Sequence, residues 1–291
     1  MRHSRSVVAV VGLAVVFAVS ALLLAACGSD ASGSAPHADR LLVATTTSLN
    51  DSGLLDDVVL PAYARLYPGV TVKVVAVGSG EAMAMGAKGD ADVLLVHSPD
   101  DEATFMADGH GTLRLPFAYN YFVIAGPKSD PAGVSRAETA SEAFGAIARS
   151  KATFVSRGDE SGTNKKELRL WEAAGVTPEG GWYLSTGQGM GETLRIASEK
   201  QAYTLTDLGT LLAQGDSLDL QPLFTGSGDL KNVYDVIIVN QNEFPMVNAV
   251  GAEDLAQLLV SAEGQKAIAA YGEKEYGEPL FQPFAGGLGA Y

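Results

Sequence analysis

Across 291 residues the chain carries one cysteine, Cys27, and four histidines. A single thiol excludes an intramolecular disulfide and any metal site built on cysteine. His3 and His37 lie near the N-terminus, which leaves His97 and His110 for chemistry in the body of the chain. No serine sits in a G-x-S-x-G elbow, so a hydrolase gains little support from motif. Basic residues are also scarce, with 20 Lys+Arg against 34 Asp+Glu and a formal charge of −14. Nucleic acid and anionic lipid surfaces call for clustered positive charge and are disfavoured. A small anion is not, because a buried site is governed by local dipoles and hydrogen bonds more than by net charge. Asp90, Asp92, Asp100 and Asp101 match no calcium-loop spacing and read as charged turn residues. The phosphate-binding P-loop and a G-x-G-x-x-G placed after a strand are absent as well.

What is present begins with an export signal. Arg2 and Arg5 precede residues 7–26, which are almost unbroken apolar sequence. Then comes Leu24-Ala25-Ala26-Cys27-Gly28, the pattern of a bacterial lipoprotein processing site. We read 1–26 as a signal peptide and Cys27 as the lipidated residue. Residues 27–39 form a small, polar, flexible tether. The alternative is an uncleaved anchor, since roughly 20 apolar residues can span a bilayer. Removal of the leader takes away two arginines, leaving 18 basic against 34 acidic residues, about −16.

The remaining roughly 250 residues are enough for two lobes. Strands alternate with helices, which predicts an α/β fold with largely parallel sheets. Residues 41–44 lead to a helix over 52–67, with Leu54, Leu55, Val58, Val59, Ala62 and Leu66 on one face and Pro68-Gly69 as its stop. Strands at 70–77 and 93–97 follow, with a short helix at 81–87 between them. Two apolar segments, 121–125 and 235–239, do not alternate with helices and are expected to carry the chain between lobes. Between them lie a strand at 154–156, helices at 163–174 and 190–199, and a strand at 202–206 leading to 207–213. The helices over 252–271 are expected to pack back on the first lobe. The predicted division is 40–120 for the first part of lobe one, 121–238 for lobe two and 239–291 for the return.

The chemistry sits where strands hand over to helices. Thr45-Thr46-Thr47-Ser48, Gly78-Ser79-Gly80 and Arg157-Gly158-Asp159-Glu160-Ser161-Gly162-Thr163 each follow an apolar run. Such turns point N–H groups and hydroxyls out of a helix N-terminus, a ready anion site. Each has a plainer reading as a cap or surface turn. Arg157 adds a planar fork of donors. Asp159 would repel an anion and is expected to orient the loop or Arg157. Gly187-Gln188-Gly189-Met190-Gly191 either adds N–H donors or gives the lobes room to close. The set predicts a protein that encloses a small oxyanion without changing it.

Taken in order, these motifs resemble the TupA family of tungstate-binding proteins of bacterial ABC transporters, over roughly residues 41–265. The resemblance rests on Thr45-Thr46-Thr47-Ser48, Asp51-Ser52-Gly53-Leu54-Leu55, Val77-Gly78-Ser79-Gly80 and Gly89-Asp90-Ala91-Asp92-Val93-Leu94-Leu95-Val96-His97. It continues through Val155-Ser156-Arg157-Gly158-Asp159-Glu160-Ser161-Gly162-Thr163, Trp182-Tyr183, Thr186-Gly187-Gln188-Gly189-Met190-Gly191 and Ala202-Tyr203-Thr204-Leu205-Thr206-Asp207. It implies a two-lobed periplasmic-binding-protein-like fold of type II, each lobe a mostly parallel sheet flanked by helices. A tetrahedral oxyanion would lie between the lobes, held by Thr46, Thr47, Ser48, Ser79, Arg157, Ser161, Gly162 and Thr163. Tungsten would be bound as the oxyanion, not by side-chain coordination, with molybdate as a possible second ligand and no cofactor. The chain would be a non-enzymatic, monomeric receptor outside the cytoplasm, held to the membrane by the lipid on Cys27 and delivering its ion to a permease with its ATPase. Two positions depart from the family: Asn164 stands where histidine is usual after Ser-Gly-Thr, and Ser79 where threonine is usual. The rival readings are a molybdate, sulfate or phosphate receptor of the same fold, and a secreted hydrolase using Ser161 or Ser48. The hydrolase requires His97 or His110 within hydrogen-bond reach of its serine.

Overall fold

The computed structural model describes residues 39–226 and 228–285. The leader at 1–26, Cys27 and the tether as far as residue 38 lie outside the described residues. β1 (Arg40–Thr46) ends in Thr46, whose hydroxyl caps α1 (Thr47–Asp51) by accepting the Leu49 N–H. The helix predicted over 52–67 therefore starts earlier, and it is interrupted. Gly53 takes φ +80°, a left-handed conformation natural to glycine. A π-helical turn (Leu55–Val59) then runs into α2 (Leu60–Leu66). Pro61 has no N–H to return to the ladder, and the Leu60 N–H reaches back to the Leu55 carbonyl, one residue beyond the α-helical partner.

β2 (Thr71–Val77), α3 (Ser79–Gly86), β3 (Val93–Val96) and α4 (Pro99–Ala107) complete the first run. β4 (Gly111–Gly126) then crosses to the second lobe, which contains α5 (Ala140–Ser150), β5 (Phe154–Ser156), α6 (Gly162–Ala173), β6 (Tyr183–Ser185), α7 (Met190–Glu199), β7 (Thr204–Asp207), α8 (Leu208–Ala213) and β8 (Gln221–Phe224). β9 (Lys231–Val239) returns, followed by α9 (Ala249–Val260), α10 (Ala262–Ala270), α11 (Glu273–Tyr276) and β10 (Gln282–Pro283).

The parallel pairing predicted from the alternation is found between β1 and β2, β1 and β3, and β5 and β6. The two segments that break the alternation lie inside β4 and β9, and these run antiparallel to their neighbours. Over 111–121 β4 pairs with β9, and from Phe122 onward it pairs with β7 and then β8. One continuous strand thus belongs to both lobes.

Each lobe buries both faces of its sheet, and successive strand residues alternate between them. In the first lobe Leu41, Val43, Val236 and Ile238 pack with Leu55, Val59, Tyr63 and Leu255. Ala44, Leu94, Ile237 and Val239 face the other way, against Met83 and Phe105. In the second lobe Phe122, Ile124 and Phe154 meet Phe144 and Trp171, while Val123, Ala125 and Val155 meet Met190, Leu194 and Leu211. Trp171 anchors that core, 4.4 Å from Phe144 and 5.1 Å from Phe154 between ring centroids.

Candidate anion site

The three hydroxyl- and glycine-rich turns come together at the junction of the lobes. On the first lobe, α1 begins at Thr47 and α3 at Ser79, with Gly78 as its N-cap. On the second, α6 begins at Gly162 with Ser161 as its cap, accepting the Asn164 N–H at 3.3 Å. The first N–H groups of each helix lack an intrahelical partner, and the aligned peptide dipoles add partial positive charge there. Gly78 and Gly162 set how closely the turns approach. A Cβ on Gly78 would stand 3.5 Å from the Ser161 side chain, and one on Gly162 only 2.7 Å from the His97 carbonyl oxygen.

Thr46, Ser48, Ser79, Ser161 and Thr163 are buried, and Arg157 is only 2% exposed. The Arg157 side chain is oriented by Asp159, as its position in the motif predicts: Nε and Nη2 both donate to Asp159 Oδ2, at 3.1 and 2.5 Å. Nη2 also donates to Thr47 Oγ1 across the lobes at 3.1 Å. The other Asp159 oxygen accepts the Ser161 N–H at 3.2 Å. The carboxylate is fully occupied holding the loop.

Within these turns three buried side-chain donors have no hydrogen-bond partner among the described residues: Ser79 Oγ, Arg157 Nη1 and Thr163 Oγ1. All three are positions predicted for the oxyanion. Thr47 Oγ1 already accepts from Arg157 and from the Met190 N–H at 3.3 Å, so its proton is directed elsewhere. Thr46 and Ser48 are arranged differently. Their hydroxyls lie 3.3 Å from each other, and Ser48 Oγ lies 3.1 Å from His97 Nε2. Gly189 caps α7, whose first two N–H groups go to lobe one, Met190 to Thr47 and Gly191 to Asp51 Oδ2 at 3.1 Å.

Asn164 does not face the anion donors. Its Oδ1 accepts the Glu160 N–H, and its Nδ2 donates to Ser156 Oγ and Glu167 Oε2. It holds Glu160 at φ +58°, so it shapes the loop that presents Ser161. The aspartates set aside as turn residues also have structural work. Asp92 accepts the Leu42 and Asn248 N–H groups, while Asp100 and Asp101 pair with Arg169 and Lys165.

Sequence reasoning missed the surroundings of His97. Its Nδ1 lies 2.9 Å from Asn232 Oδ1, and the contact continues through Asn120 to Asp207. Burial, and secondarily the Arg157 charge, lower the His97 pKa from 6.5 to about 3. Polar residues within apolar strands (Asn120 in β4, Asn232 in β9) were the available signal.

A family model for the PBP superfamily domain matches residues 30–263. A protein described as tungstate-binding protein TupA, from Peptoclostridium acidaminophilum, is 43% identical over 94% of this chain and 98% of its own length. A putative ABC transporter anion-binding protein from Haloferax volcanii is 47% identical over 84% of this chain and 72% of its own. Among solved structures, that of the tungstate ABC transporter from Geobacter sulfurreducens superimposes with a TM-score of 0.74 at 48% identity, covering 80% of this chain and 98% of that one. The chain belongs to the TupA family of the PBP superfamily.

Proposed function

Starting from that membership, we propose that this chain is the solute receptor of an ABC transporter, capturing tungstate between its lobes and delivering it to the permease and its ATPase. The carrying observation is the set of three buried, unpartnered donors, Ser79 Oγ, Arg157 Nη1 and Thr163 Oγ1, drawn from both lobes. An unsatisfied buried donor costs about 1–3 kcal/mol, whereas a hydrogen bond to a charged group contributes about 1.5–3 kcal/mol. A tetrahedral oxyanion reverses the sign of all three at once. The Thr47 hydroxyl and the first N–H groups of α1, α3 and α6 complete the donor set, so Thr46, Ser48, Ser161 and Gly162 contribute through backbone or by capping. Because the donors come from opposite lobes, the site is complete only when the lobes are together, and water is excluded by the same closure.

Sulfate is smaller than tungstate, so in a cavity set for tungstate its hydrogen bonds are long. Molybdate is nearly the same size and is expected to compete. Lipidation at Cys27 would hold the receptor at the outer face of the membrane; no helix among the described residues is long and apolar enough to cross one.

The hydrolase reading has its serine–histidine contact, Ser48 to His97 at 3.1 Å. The base argues against it. An imidazole with a pKa of about 3 does not retain a proton taken from serine near neutral pH. Calorimetric titration with tungstate, molybdate, sulfate and phosphate tests the receptor. One tungstate per chain at nanomolar affinity, with sulfate far weaker, is the expected result; no heat from any of the four would overturn it.

A further inference from the structure

One buried polar chain has no use in anion capture as described. It starts at Asp207, the cap of α8, whose carboxylate is fully buried. Asp207 Oδ1 accepts the Thr210 backbone N–H at 2.9 Å and faces the Asn120 amide at 3.0 Å. A backbone N–H can only donate, so Oδ1 is an acceptor and Asn120 must present its NH2 group. The Asn120 oxygen then faces Asn232 at 3.0 Å, which must in turn present NH2, a group that also reaches Tyr234 Oη at 2.9 Å. The Asn232 oxygen is left for His97 Nδ1 at 2.9 Å, so Nδ1 carries the imidazole proton and Nε2 is bare. Nε2 lies 3.1 Å from Ser48 Oγ, and the only proton between them is the serine's. Both amide orientations and the tautomer thus follow from the first contact. A neutral imidazole has one N–H, and burial keeps His97 neutral.

We propose that Asp207, acting through Asn120, Asn232 and His97, is a positioning residue that draws the Ser48 hydroxyl proton away from the anion site. Thr46 Oγ1, at 3.3 Å, gives its proton to Ser48 Oγ. Two of the hydroxyls predicted to serve the anion are turned inward, and their residues reach it through backbone N–H. A fully deprotonated oxyanion gains nothing from the Ser48 side chain. The consequence for the anion rests on the oxyanion reading; the direction of the relay does not.

The test separates the two. A long-range 1H–15N spectrum of the purified full-length protein without ligand, at neutral pH, reads the His97 tautomer directly. A protonated Nδ1 and bare Nε2 are expected, and a protonated Nε2 would overturn the relay whatever the protein binds. Asn232→Leu removes the acceptor from Nδ1 and is expected to move the proton to Nε2. In tungstate titrations Ser79→Ala and Thr163→Val should each lose at least tenfold, and Ser48→Ala less than tenfold. A tenfold or larger loss in Ser48→Ala, with tungstate still bound by the unmodified chain, would show that Ser48 donates after all and sink the proposal.

Discussion

Arg157 combines two tasks that a simpler cation would separate. Asp159 and Thr47 occupy Nε and Nη2, fixing the guanidinium plane, and Nη1 has no partner among the described residues. Arg157→Ala is expected to weaken tungstate binding at least tenfold by titration. Arg157→Lys should lose nearly as much, because an ammonium cannot span Asp159, Thr47 and the ion together. An unchanged dissociation constant in the alanine variant would remove Arg157 from the site. His97 predicts a second effect, on stability. Its folded pKa of about 3 lies below the unfolded 6.5, so in acid the unfolded chain binds a proton the native one does not. Stability from this residue is intact above pH 6.5 and falls as pH drops toward 3, by up to about 1.4 kcal/mol per pH unit. Denaturant unfolding at pH 7 and pH 5 should show a smaller drop in His97→Gln than in the unmodified chain; equal drops would refute the assignment. The residues proposed for the anion could be picked out because each sits in a local turn motif. The Ser48–His97–Asn232 contact was not, since its members are 49 and 135 positions apart.

At the scale of elements, the site depends on how closely the start of α6 approaches the end of β3. Alanine ordinarily favours a helix over glycine by up to about 1 kcal/mol. At Gly162 a Cβ would meet the His97 carbonyl at 2.7 Å, and overpacking costs about 1–3 kcal/mol. Gly162→Ala is therefore expected to be net destabilising and to push Thr163 off the anion, with at least a tenfold loss in titration. Tighter binding or raised stability would contradict this packing. Gly158 is constrained more severely, at φ +60° and with a Cβ position 1.7 Å from Ser185 Oγ. Strand–helix alternation gave the parallel elements correctly. It missed the full length of β4, because a strand shared by two lobes has no helix to mark its middle, and it missed the break at Gly53 and Pro61, where a continuous apolar face conceals a change of hydrogen-bond ladder.

For the whole molecule, ligand binding to the native state alone should raise the melting temperature. At a free tungstate concentration 100-fold above the dissociation constant, linkage adds about 2.7 kcal/mol. At about 2–4 °C per kcal/mol for a domain of this size, that is roughly 5–10 °C. Scanning calorimetry with tungstate and with equal sulfate should separate the two ions, and an equal shift with both would argue for an ionic-strength effect. The lobes are already joined by Thr47 to Arg157 and Met190, Asp51 to Gly191, and the Thr210 hydroxyl to the Ser48 carbonyl. Helix α1 supplies all four of these contacts, and α4 adds the pairs Asp100–Arg169 and Asp101–Lys165 to α6.

Sequence alone determined the architecture, the turns that come together at the lobe junction and the orienting role of Asp159, because periodicity, caps and a two-residue carboxylate–arginine spacing are local properties. Tertiary structure decided which of those groups remain free to bind. Thr46 and Ser48 look like Thr47 and Ser79 in the chain, yet folding sets Ser48 against His97 and Thr46 against Ser48, and leaves the Ser79 hydroxyl without a partner among the described residues. A hydroxyl can donate or accept, and only the neighbours brought to it from distant segments choose between the two.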